Sequence, residues 1–149
     1  MTETAPIVRS VDVRSTPERL FELLVDPVAL VRWWPDVAEL EPREGGSVRM
    51  VFGAASSVVN GVVTRYEPPR ALGFTWVRDV NPDVTTRVEF SVTDLGDGRC
   101  RVEVVHSGWE HAPEARATHD LGWAHFLRCL ADLAEGRPVD KSYPRPSTD

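Results

Sequence analysis

Apolar and polar residues alternate from Ile7 to Val13, with Ile7, Arg9, Val11 and Val13 opposite Val8, Ser10 and Asp12, which predicts an opening strand. Thr16 followed by Pro17 then reads as a helix cap and first helical residue, with Ser15 and Glu18 as an alternative capping box. Leu20, Phe21, Leu23 and Leu24 recur at helical spacing until Asp26-Pro27 interrupts them. Val28, Leu30, Val31 and Trp34 predict a second short helix, ended by Pro35.

From there to Ser107 the pattern is a meander of strands. Val37–Glu41 meets Ser47–Phe52, and Val58–Glu67 meets Ala71–Val77 across Pro68-Pro69. Val84–Leu95 meets Arg99–Ser107 across Gly96-Asp97-Gly98, where Asp-Gly is a hairpin signal. In that last pair Val84, Thr86, Val88, Phe90 and Val92 share one face. Cys100, Val102, Val104 and His106 share the facing side of the partner, while Arg101 and Glu103 point away. A final helix over Ala115–Glu135 carries Trp123, Phe126, Leu127, Leu130, Leu133 and Ala134 as one stripe, and Gly136 and Pro138 stop it. The expected architecture is α+β: six or seven antiparallel strands curved around one long C-terminal helix, with two short helices after the first strand. Such a sheet leaves room between itself and its helix for a mainly apolar cavity. One domain over residues 1–149 is expected, with its core at about 7–139 and residues 140–149 as an extended tail.

Charge and composition remove several functions. Basic residues number 17 and acidic residues 23, a net charge of −6, which disfavours phosphate-backbone binding and hence nucleic-acid partners. No apolar run is long enough for membrane insertion, and Met1 to Pro6 carries no apolar core of a secretory signal. Cys100 and Cys129 fit no disulfide framework and read as two buried thiols, so a cytoplasmic location is expected.

Arg32-Trp33-Trp34-Pro35, Gly45-Gly46, and the run Tyr66-Glu67-Pro68-Pro69-Arg70-Ala71-Leu72-Gly73-Phe74-Thr75-Trp76 together resemble one family. His106-Ser107-Gly108-Trp109, Gly122-Trp123 and Leu130-Ala131-Asp132-Leu133-Ala134-Glu135-Gly136-Arg137-Pro138 complete the set. They resemble single-domain bacterial proteins similar to the C-terminal domain of the heat-shock protein 90 ATPase activator, within the SRPBCC (START-like) superfamily. The resemblance spans about Ile7 to Val139 and implies the helix-grip fold. It implies binding of a small apolar or aromatic molecule in the cavity, with a polyketide cyclase or aromatase as the alternative and a chaperone-linked interaction module as the third reading. The eukaryotic activator has a separate N-terminal domain for which this chain has no room, so chaperone activation is not carried over.

Among individual residues, His106 is the sharpest candidate. Its strand phase turns it toward the expected cavity, where a neutral imidazole could contact ligand or move a proton; a structural histidine is the alternative. His119 lies one turn before Trp123 and could reach the cavity mouth or be solvated. His125 falls off the helix stripe and is expected to face solvent, and His111 has no role. Trp34, Phe74, Trp76, Val104, Trp123 and Phe126 are expected to line the cavity, and Arg78, in phase with Trp76, to stand at its mouth. No HxxxH or HExxH spacing, GxSxG elbow or phosphate loop occurs, so no metal, cofactor or catalytic residue is assigned. A homodimer is compatible with all of this.

Overall fold

A computed structural model describes residues 4–53 and 57–142. Its elements are β1 (Ile7–Arg14), α1 (Pro17–Val25), α2 (Pro27–Trp33), β2 (Val37–Leu40), β3 (Ser47–Phe52), β4 (Ser57–Glu67), β5 (Ala71–Arg78), β6 (Thr86–Gly96), β7 (Arg99–Ser107) and α3 (Pro113–Ala134). A single 3-10 turn at Trp109–His111 joins β7 to α3. Thr16 is the cap of α1: its side chain accepts from the Arg19 N–H at 3.2 Å. Asp26 caps α2 in the same way through Val28 N–H, at 3.0 Å.

All seven strands form one antiparallel sheet in the order β1-β7-β6-β5-β4-β3-β2. The β6–β7 hairpin turns on Asp97-Gly98 with positive φ at both residues, 56° and 74°, the primed geometry that matches strand twist. Val84 lies outside β6: its N–H bonds back to Asn81 O at 3.1 Å, so it belongs to a turn and the strand begins at Thr86. Gly61 in β4 is required by close packing, since a Cβ there would stand 1.9 Å from Thr75 O.

One face of this sheet is buried against α3. Ile7, Phe74, Val88, Phe90, Val102 and Val104 line it, and Trp123, Phe126, Leu127 and Leu130 meet them from the helix. The helix does not lie evenly across the sheet. Its closest backbone packing on a strand is on β1, and it is tied there along its length. Arg9 makes a two-pronged ion pair with Asp120, at 2.8 and 3.1 Å, and Glu135 accepts from the Arg14 backbone N–H at 2.8 Å. Each tie is exposed and modest by itself. Together they hold α3 to the β1 edge, and buried aromatic side chains fill the wedge between the helix and the β3–β5 strands.

Of the expected tail, residues 140–142 are described and are held in place, and residues 143–149 lie outside the described residues. Lys141, the only lysine in the chain, donates to Val31 O at 2.7 Å and Pro35 O at 3.0 Å. These carbonyls lie at the end of α2, which otherwise has no capping cation beyond Arg32.

Candidate functional site

The wedge between α3 and the β3–β5 half of the sheet is filled by rings. Trp34, the residue that ends α2, leaves the helix in an irregular conformation (φ −134°, ψ −94°) that directs its indole inward. Its centroid lies 5.6 Å from Trp76 with the planes 10° apart, 4.9 Å from Trp123 and 6.1 Å from Phe90. Phe74 and Phe52 close the group at 6.4 and 6.1 Å from Trp34. Strand alternation supplies the sheet side: Leu72, Phe74 and Trp76 all point to the concave face of β5, as Val48, Met50 and Phe52 do on β3.

A polar relay crosses the end of the wedge. His106 is fully buried and is paired across the sheet with Val88 and Ile7. The Trp123 indole N–H donates to its Nδ1 at 3.0 Å. An indole nitrogen can only donate, so Nδ1 carries the lone pair and Nε2 the proton. Nε2–H then donates to Thr86 Oγ1 at 2.7 Å, and the Thr86 hydroxyl donates to Trp76 O at 3.3 Å. Gly108, at φ +99°, turns the chain so that Trp109 folds back and donates to His106 O at 2.9 Å. A Cβ at Gly108 would meet Thr86 Cα at 3.2 Å. Burial, then the neighbouring His119 and the positive Arg78, hold the His106 imidazole well below its ordinary range, so it is neutral. Both ring nitrogens are engaged, which makes His106 a fixed strut within the wedge.

Next to this relay, at the half-buried end of the wedge, lie His119, Arg78 and Trp76. His119 is half-buried; its Nδ1–H donates to Ala115 O at 2.8 Å and leaves Nε2 with a lone pair. Burial lowers its pKa to about 4, with the Ala115 hydrogen bond opposing and Arg78 reinforcing the shift. Its ring stands edge-on to Trp76 at 6.1 Å and packs on Trp109 at 4.9 Å. Arg78 is half-buried at the end of β5 and makes no ion pair among the described residues. Trp76 is 5% exposed, and no group among the described residues accepts from its buried Nε1–H. An unsatisfied buried donor of this kind costs about 1–3 kcal/mol.

Each residue predicted from sequence can now be placed. Trp34, Phe74, Trp76, Val104, His106, Trp123 and Phe126 are buried between sheet and helix, packed together where a cavity was expected, and Arg78 and His119 are half-buried beside them. His125 is not solvated as expected. It is half-buried, and its Nε2 bonds to Lys141 O at 3.0 Å because the segment after α3 folds back over it. Phe52, Thr86 and Trp109 were missed. Phe52 was readable from its phase with Val48 and Met50, and Thr86 from its phase with Val88 and Phe90. Trp109 carries no local signal, since Gly108 redirects the chain just before it. No cluster of His, Cys, Asp or Glu among the described residues has the arrangement of a metal site. No described helix is long and apolar enough to cross a membrane.

A curved antiparallel sheet closed on one long helix defines a helix-grip protein, and solved structures share this architecture. DynU16, a protein from the dynemicin biosynthetic locus, superposes with a TM-score of 0.78 at 22% identity, covering 91% of this chain and 50% of that one. The Aha1 dimer from Colwellia psychrerythraea gives 0.75 at 19% identity, covering 88% and 96%. At these identities the likeness is one of fold. Residues 14–135 match the sequence profile described as Activator of Hsp90 ATPase homolog 1-like protein, and the chain belongs to that family. An uncharacterised protein of Mycobacterium tuberculosis is 35% identical over 80 residues, covering 49% of this chain and 48% of that protein. The chain therefore spans about half the length of the curated relatives it matches.

Proposed function

We propose that this chain is a small-molecule-binding module that holds an apolar or aromatic ligand in the wedge between α3 and the β3–β5 strands, without turning it over. The wedge itself carries this reading. Ties hold α3 to β1, and between the helix and β5 the flat rings of Trp34, Trp76 and Trp123 meet beside the aliphatic Val48, Met50 and Leu72. Aromatic walls with a few fixed polar groups are the usual lining of ligand sites. The His106 relay favours binding over catalysis. A general base needs a free lone pair beside the substrate, and the Nδ1 lone pair of His106 is occupied by Trp123.

Titration with naphthylmethanol, a neutral two-ring probe, tests the reading through tryptophan emission. Saturable quenching is expected, with affinity reduced roughly tenfold by Phe52→Ala, the loss of one ring contact and its buried area. Absence of saturable quenching up to the solubility limit overturns it.

A further inference from the structure

We propose that the mouth of the wedge is a site for the carboxylate of a planar aromatic acid, with the Trp76 Nε1–H and the Arg78 guanidinium as its two donors. This rests on the ligand-binding reading above and adds the class of ligand. Three observations lead to it. First, Trp76 is buried and can only donate, yet no acceptor faces its Nε1–H among the described residues, so what completes it must bring an acceptor atom. The contrast with its neighbours is direct: Trp33, Trp109 and Trp123 donate to Leu23 O, His106 O and His106 Nδ1. Second, Arg78 follows Trp76 by two residues on the same strand face, half-buried and without an ion pair among the described residues. Two donors of which one is cationic suit a carboxylate, which offers an oxygen to each, better than a single neutral carbonyl. Third, the surfaces beside them are flat. Trp34 and Trp76 stack on each other at 5.6 Å, and the half-buried Phe52, 6.0 Å from Trp76, is the flat surface a planar ring would lie against. The positive charge of Arg78 contributes to lowering the pKa of both His106 and His119, in keeping with its place beside them.

The test compares naphthoate with naphthylmethanol by NMR of the indole N–H signals of the five tryptophans. Loss of one signal in Trp76→Phe assigns the Trp76 resonance. Naphthoate is expected to shift that resonance downfield, with smaller changes at Trp33, Trp109 and Trp123, whose protons already have acceptors. It should bind about tenfold more tightly than naphthylmethanol, the scale of one charge-assisted hydrogen bond. Arg78→Met should abolish that preference by weakening naphthoate about tenfold; the half-exposed position makes this variant compatible with folding. Equal affinity for the two probes overturns the proposal, as does a preference that survives both Arg78→Met and Trp76→Phe. If naphthylmethanol binds and naphthoate does not, the carboxylate site falls and the binding module stands. If neither binds, both fall.

Discussion

Trp33 and Trp76 are buried to nearly the same degree, 0% and 5% exposed, and both stack on Trp34, but their indole N–H groups end differently. The Trp33 ring stacks on Trp34 at 5.3 Å and meets Phe90 edge-on at 6.5 Å, and its indole N–H closes on Leu23 O at 2.8 Å. Around Trp76 the neighbours are rings and imidazoles, and the indole N–H has no acceptor among the described residues. Adjacent residues show the same division: Trp33 locks α2 to α1, while Trp34 leaves the helix and enters the wedge. The first region is a completed core. The second retains, among the described residues, a donor without an acceptor and a cation without an ion pair, the two features on which the proposed ligand site rests.

The largest effect should come from the completed side. Trp33→Ala is expected to cost about 3–5 kcal/mol in chemical denaturation, by loss of a fully buried side chain. The comparison sharpens when both tryptophans are changed to Phe. Trp33→Phe orphans the buried Leu23 carbonyl, whereas Trp76→Phe breaks no hydrogen bond, so the first should exceed the second by about 1–3 kcal/mol. Equal costs would erase the distinction between the regions.

Acid should weaken the wedge side selectively. His106 and His119 are both held below the ordinary imidazole value, so the unfolded chain takes up protons that the native one refuses. Their contribution is fully present above pH 6.5 and is lost as pH falls from there toward about 4, the value for His119. Denaturation midpoints measured across that window should fall with pH, and combining His106→Gln with His119→Gln should flatten the slope. A Gln at position 106 keeps one donor and one acceptor for Thr86 and Trp123 but does not titrate. The smallest effect concerns the strap at the end of α2: Lys141→Met should cost about 1 kcal/mol by releasing Val31 O and Pro35 O to water.

Much of the framework was legible in the chain because it rests on local rules. Alternation placed the strands to within a residue or two, Asp97-Gly98 announced its hairpin, and Thr16-Pro17 its helix start. The faces of Phe74, Trp76, Val104 and His106 followed from strand parity. The expected space between sheet and helix is occupied by the rings named for its lining, a matter of side-chain packing that alternation does not give. The hold of α3 on β1 was hidden too, since it rests on Arg9 with Asp120 and Arg14 with Glu135, pairs more than 100 residues apart whose match no periodicity reveals. The relay through His106 was hidden for the same reason: Thr86, Trp109 and Trp123 converge on it from three elements. Even a correct list of facing residues does not say which indole ends without an acceptor.

Native mass spectrometry of the whole chain, freshly purified and again after incubation with naphthylmethanol, tests the binding role most directly. The account predicts a one-to-one complex in the incubated sample, diminished by Phe52→Ala and by Trp34→Ala in variants that retain their far-ultraviolet dichroism. A bare polypeptide mass in both samples would contradict it and leave the aromatic wedge as core.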